Sequence, residues 1–188
     1  SVDTLFKSGL KKDDEISEDR FVFLIESNIT YHIKKKALSF LARRAHAEKE
    51  LFLKLKAKSY NEGLIKTVIK ELRNLSFLDD REFATQFVNE KSLRKKWGKQ
   101  KIKSALINKG INYKIIDEVL SKNNLDKLEA EQIKDLALKK YSLVKKREKD
   151  QKKMMQKLIS FLISKGYSYE LATEAVRQIT KSDFIDYD

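Results

Sequence analysis

Three stretches of the chain repeat one spacing of apolar residues. They read LFLKLKAKSYNEGLIKTVIKEL from Leu51, IKSALINKGINYKIIDEVL from Ile102, and LISFLISKGYSYELATEAVRQI from Leu158. The first part of each copy carries an i,i+4 apolar pair: Leu51/Leu55, Ile102/Leu106 and Leu158/Leu162. Such pairs lie on one face of a helix. After a short polar break the apolar positions resume. They are Leu64, Ile65, Val68 and Ile69; Ile115, Ile116, Val119 and Leu120; and Leu171, Ala172, Ala175 and Val176. This is an amphipathic stripe in the helix period, so each copy predicts helix–turn–helix.

The breaks have the chemistry of a helix end followed by a helix start. Gly110 and Gly166 suit the left-handed residue that closes a helix, and Ser59 occupies that place in the first copy. Asn61, Asn112 and Ser168 are N-cap residues for the next helix. Tyr60 with Ile65, and Ile111 with Ile116, have the spacing of a hydrophobic staple.

Another amphipathic stretch precedes each copy: Tyr31–Ala45, Glu82–Lys96 and Leu128–Arg147. The unit is therefore three helices, repeated three times with offsets of 51 and 56 residues. A unit this short buries little by itself and gains by packing on its neighbours. The predicted fold class is all-α: three tandem three-helix repeats forming an elongated, curved chain, with a short N-terminal appendage. The expected divisions are an acidic appendage over 1–30, repeats over 31–78, 79–124 and 125–181, and an acidic tail over 182–188. Within the appendage, Thr4–Lys7 and Glu18–Glu26 read as short helices, the second capped by Ser17. The chain starts without methionine, which predicts that it begins inside a longer protein.

Composition supports helices and narrows the chemistry. Proline is absent and only five glycines occur among 188 residues, too few for the turns of a sandwich or barrel. Cysteine is absent, which excludes disulfides and thiolate metal sites. The two histidines, His32 and His46, are too far apart in sequence to suggest an imidazole zinc site. No apolar run approaches the roughly 18 residues of a membrane span.

The net charge of +13 is unevenly placed. Residues 1–33 hold seven acids and four bases, so the remainder carries +16. From Lys91 to Lys103 there are seven bases and no acid; from Lys139 to Lys153 there are eight bases and two acids. Such a field attracts a polyanion through charge neutralisation and counterion release.

The segment FLDDREFA from Phe77 joins the first and second copies. Asp79 can cap the following helix, Glu82 completes a capping box, and Leu78 with Phe83 forms a staple. No second acidic cluster or histidine is placed to make a metal site with these acids. The segment also resembles the LDD-x-x-FA motif of the RecX regulators of RecA recombinase. LARRAHAEKELFLKLKAK from Leu41 and WGKQKIKSALINKGI from Trp97 are similar to further motifs of that family, over about Tyr31 to Ile179. LKKDDEIS from Leu10 resembles the end of the extra N-terminal segment of Gram-positive-type members. Three residues depart from the pattern: His46 replaces a basic residue, Ala47 the usual serine cap, and Ser59 the usual glycine.

The resemblance implies a bacterial cytoplasmic regulator without catalysis. It would bind in the groove of the RecA–single-stranded-DNA–ATP filament and inhibit ATPase, strand exchange and coprotease activity. It also implies single-stranded DNA, and more weakly duplex DNA, as partners of a monomer that needs no cofactor or metal. A general basic helical DNA- or RNA-binding protein acting without RecA is the alternative. Under either reading the candidate contact residues begin with Arg94, Lys95, Lys96, Lys99, Lys101 and Lys103. Lys109 extends that patch, and Trp97 inside it is placed either to stack on a base or to pack between helices. Arg44, Arg81, Lys145, Lys146 and Arg147 complete the set. No nucleophile–histidine pair or phosphate-cradling glycine loop is present to suggest an enzyme.

Overall fold

The computed structural model describes residues 8–11 and 14–185, with side chains described as far as residue 180. The proposed helix at Thr4–Lys7, and the side chains of the proposed acidic tail, lie outside the described residues. Among the described residues the ordered elements are all helical. We number them α1 (Glu18–Leu41), α2 (Glu48–Lys56), α3 (Glu62–Asn74), α4 (Asp80–Asn89), α5 (Lys99–Asn108), α6 (Tyr113–Lys122), α7 (Leu125–Lys145), α8 (Gln151–Lys165) and α9 (Tyr169–Ile185). The chain divides into two compact units, Ser1–Phe83 and Ala84–Asp188, with the division inside α4.

In the first unit α1, α2 and α3 pack on one another. Their core contains Ile33, Ala37, Leu51, Leu55, Ile65, Val68, Ile69 and Leu72, closed by Leu78 from the following turn. These are the positions expected from the apolar stripes. The separate short helix expected at Glu18–Glu26 is instead the start of α1, which continues for 24 residues. No glycine or proline interrupts that stretch, and Ser17 accepts a hydrogen bond from the Arg20 amide at its start. Phe21, Val22, Phe23 and Ile25 on this first half of α1 are exposed.

In the second unit α7, α8 and α9 pack on one another around Ile133, Ala137, Tyr141, Leu158, Leu162, Ala172 and Val176. The buried face of α5 and α6 carries Ile102, Leu106, Ile116, Val119 and Leu120, and α5 also packs on α7. The helix expected over Glu82–Lys96 is not continuous. It ends at Asn89 and widens into a π-helical turn over Glu90–Arg94. Lys96 then takes a left-handed backbone (φ +52°), and the Trp97 amide donates to the Lys91 carbonyl at 3.0 Å.

The expected turn chemistry is present. Gly110 and Gly166 have φ of +85° and +98°, and Ser59 takes the same left-handed place at +62° despite its Cβ. Asn61 accepts from the Gly63 and Leu64 amides, Asn112 from Lys114, and Ser168 from Leu171.

The second helix of each repeat shows how the repeats interlock. Ala47 and Gly98 occupy the cap positions of α2 and α5 and have no side-chain acceptor. A carboxylate from the first helix of the following repeat takes over. Asp80 Oδ1 accepts the Glu48 amide at 2.9 Å, and Glu129 Oε1 accepts the Lys99 amide at 2.5 Å. In the third repeat α8 is capped by its own Asp150, which accepts from the Lys153 amide at 3.1 Å. Within the FLDDREFA segment the two aspartates therefore divide the work. Asp79 caps its own helix through the Arg81 and Glu82 amides, and Asp80 caps the helix before.

His46 is buried between Phe40, α2 and the turn before it. One ring nitrogen pairs with the Arg44 carbonyl (2.9 Å) and the other with Lys54 Nζ (3.0 Å). The neutral ring, donating from Nδ1 and accepting at Nε2, satisfies both. Burial is the main cause that pushes its pKa below the ordinary value, opposed by the Arg44 carbonyl and assisted by the Arg44 and Lys54 charges. A depressed pKa means that stability is intact above the ordinary histidine value of about 6.5 and is lost as the pH falls through the folded value. The first repeat is expected to lose resistance to denaturant between pH 7.5 and 5.5, and His46→Gln is expected to flatten that loss. An identical pH profile in the variant would show that another group governs it.

Candidate nucleic-acid interface

The basic segment Lys91–Lys103 does not form a single helix face. The π turn, the left-handed Lys96 and the start of α5 send its side chains in different directions. Arg94 and Lys95 are exposed on the turn. The Lys96 carbonyl accepts from the Tyr167 hydroxyl at 3.4 Å. Lys99 Nζ pairs with Asp126 at 2.8 Å, and Lys103 Nζ with Asp117 at 2.8 Å. Both are surface pairs, each worth about 0–1 kcal/mol and readily exchanged for a stronger anion. Lys101 Nζ donates to the Ser164 carbonyl at 2.8 Å, which carries it toward the third repeat.

Trp97 is half-buried and stands edge-on to Phe87, with ring centres 6.5 Å apart. The ammonium groups of Lys91 and Lys101 lie 5.5 and 4.8 Å from the indole centre. Lys91 is also 5.1 Å from the centre of Phe87, and Lys109 is 5.7 Å from it. The tryptophan is thus part of a cation–aromatic cluster. Lys91 also pairs with Glu90 at 2.8 Å.

The remaining sequence candidates lie elsewhere. Arg44 pairs with Glu50 and donates to the Ala45 carbonyl, so it braces the turn before α2. The Glu50 hydrogen bond leads the causes that raise its pKa. Arg81 is exposed at the start of α4 in the first unit. Lys145, Lys146 and Arg147 are exposed where α7 ends, with Lys145 Nζ 5.5 Å from the Tyr141 ring centre. The structure therefore brings Trp97, Lys91, Lys101 and Phe87 together, while Arg44 and Arg81 belong to the first unit.

Phe87, Phe161, Lys140 and Lys165, which did not stand out in the sequence, take part in further cation–ring contacts. Lys140 and Lys165 lie 5.0 and 5.7 Å from the Phe161 ring centre. A signal was available in the repeats. Phe40, Phe87 and Lys140 follow a buried alanine (Ala37, Ala84, Ala137) by three residues. Lys54 and Phe161 correspond on the second helices by the offsets already given. In the first repeat Phe40 lies under Lys54, 5.2 Å from its ammonium; in the third, Phe161 lies under Lys140. Ring and cation have exchanged helices while their pairing is kept.

Among the described residues, no three His, Asp or Glu side chains are grouped to hold a metal ion. Nor is any helix among them long and apolar enough to cross a membrane.

Comparison with known proteins agrees with the repeat structure. Family profiles described as the first, second and third three-helix domains of RecX match residues 34–72, 79–120 and 128–176. The regulatory protein RecX of Clostridium acetobutylicum is 39% identical over 182 residues, covering 95% of this chain and 83% of that protein. That of Clostridium beijerinckii is 36% identical over 188 residues, covering all of this chain and 86% of that protein. A crystal structure of regulatory protein RecX superposes with a TM-score of 0.79 at 24% identity, over 95% of this chain and 86% of that one. At that identity the superposition establishes the fold. Together with the three successive domain matches and the full-length relatives, these findings show that the chain belongs to the RecX family of regulatory proteins.

Proposed function

We propose that this protein is a non-catalytic regulator, mainly an inhibitor, of RecA recombinase. It binds in the groove of the RecA–single-stranded-DNA–ATP filament in the bacterial cytoplasm and suppresses ATPase, strand exchange and coprotease activity. Family membership over the whole chain carries this reading. The exposed basic side chains support it: Arg94 and Lys95 on the π turn, and Lys146 and Arg147 at the end of α7, are placed to meet phosphates or an acidic protein surface. Repeats that each contribute a few such contacts gain by multivalency.

The test uses RecA filaments formed on single-stranded DNA with ATP. Added at substoichiometric ratios, the protein is expected to stop ATP hydrolysis well below the amount that coats the DNA. The Lys95/Lys96/Lys99 triple alanine is expected to need about tenfold more protein for the same inhibition, equivalent to about 1.4 kcal/mol. Inhibition that begins only when the DNA itself is saturated would instead favour a general nucleic-acid-binding protein.

A further inference from the structure

We propose that the two cation–aromatic clusters of the second unit form one continuous binding track for single-stranded DNA. This rests on the regulator reading in that it names the surface that takes the DNA strand. The track runs from Trp97, beneath Lys91 and Lys101, to Phe161, beneath Lys140 and Lys165. The two clusters are joined through backbone. Lys101 Nζ donates to the Ser164 carbonyl, and the Gly98 amide donates to the Lys165 carbonyl at 2.8 Å. Beyond Phe161 the track opens into a groove of about 510 Å³ whose walls include Lys140, Lys153 and Lys157, with Lys157 paired to Glu148.

Each ring gathers two cations. Two ammonium groups lie within 5.5 Å of the indole centre, and two more within 5.7 Å of the Phe161 centre. The negative face of each ring holds its cations in place, so that two positive charges flank one aromatic surface. A phosphate placed beside such a ring meets positive charge already in position and releases counterions. Half-buried rings beside the cations leave aromatic edge and face for unpaired bases, the combination that suits a single strand without sequence preference. The pairing of ring and cation recurs at the equivalent place in the first repeat, with the partners on opposite helices. That recurrence argues for the pairing itself over any one residue.

Trp97 is the only tryptophan, so its emission reports on the track. The full chain is titrated with a 20-mer oligothymidylate and with a duplex of the same length, while labelled-DNA anisotropy measures binding independently. The single strand is expected to change the Trp97 emission and to bind more tightly than the duplex. Lys140→Gln/Lys165→Gln is expected to weaken binding at least fivefold at low salt. It should also reduce the log–log salt slope by about 1.4, the value for two lost single-strand phosphate contacts. Lys114→Gln/Lys122→Gln, on α6, removes the same charge and is expected to leave both nearly unchanged. Binding without any Trp97 response, tighter duplex binding, or equal losses in the two variants would each overturn the track. Filament ATPase, run in parallel, separates the two readings. Inhibition that survives in Lys140→Gln/Lys165→Gln with an unchanged salt slope removes the track and leaves the regulator. Strand binding on the track without inhibition of the filament does the reverse.

Discussion

Gly166→Ala is expected to destabilise the second unit by about 2–5 kcal/mol. Two independent costs add. Gly166 has φ +98°, where a side chain is strained by about 1–2 kcal/mol. Its new Cβ would also come closer than 3.0 Å to the Lys101 Cβ and backbone nitrogen, an overpacking that costs about 1–3 kcal/mol. The crowding is built into the junction between the second and third repeats. There the Gly98 amide donates to the Lys165 carbonyl and the Gln100 amide to the Gly166 carbonyl. Gly98 is subject to the same limit, since a Cβ on it would meet the Gly166 carbonyl closer than 3.0 Å. Urea denaturation checks this. Gly98→Ala is expected to cost a similar amount, and the double variant less than the two singles together, because both disrupt one contact. A Gly166→Ala protein as stable as the parent would mean that the repeats can separate without penalty.

Glu129→Ala and Glu129→Gln are expected to differ in effect. The alanine variant leaves the Lys99 amide without its acceptor, at a cost of about 1–3 kcal/mol. The glutamine variant keeps an oxygen there and removes a charge that the site does not favour. Burial is the main reason that the Glu129 pKa is raised; the Lys99 amide and ammonium oppose it, and Asp126 adds to it. A raised carboxylate pKa favours the protonated form in the folded state. Its contribution to stability is therefore present below the unfolded value of about 4.3 and lost as the pH rises through the folded value. At pH 7 glutamine is expected to be at least as stable as glutamate to within about 1 kcal/mol, the size of one net hydrogen bond. Across pH 4–7 it should show the shallower profile. Asp80 follows the same logic in the first unit: burial raises its pKa while the Glu48 amide opposes the shift. Asp80→Ala should cost stability there, and Asp80→Asn much less. Equal losses for the amide and alanine variants would show that the carboxylate charge, not the acceptor oxygen, is what these caps require.

Most of the fold was legible in the chain because its signals are local. The i,i+4 pairs placed Leu51, Leu55, Ile102, Leu106, Leu158 and Leu162 in the core, and all six are fully buried. Asn61, Asn112 and Ser168 cap the helices expected of them, since an N-cap bond spans only two or three residues. The start of α1 at Glu18 was legible from Ser17, but its continuation past Glu26 was not, because the exposed Phe21, Val22, Phe23 and Ile25 follow no helical stripe, although nothing there breaks a helix. The π turn was also hidden, since lysine and arginine are good α-helix formers and no residue type in the stretch marks where the helix widens.

The candidate site divides in the same way. Charge density pointed to Lys91–Lys103, and that segment does build the cluster around Trp97. Charge density does not reveal direction. Lys99 and Lys103 turn to Asp126 and Asp117, acids 27 and 14 residues away, and Lys101 reaches a carbonyl 63 residues away. Phe161 carries no charge and Lys140 sits within a common lysine-rich stretch, so neither stood out until the helices were packed.

By itself the sequence determined most of the helices, the local caps of α3, α6 and α9, the threefold repeat and the family, because each depends on residue types at short and regular spacing. Only the tertiary structure decided how one repeat holds the next. The Asp80 and Glu129 caps and the approach of Gly98 to Gly166 join residues 30 to 68 positions apart, and no periodicity extends over such separations. The physical reason is that an unsatisfied helix terminus and a missing Cβ create a requirement locally, while what meets it comes from another repeat.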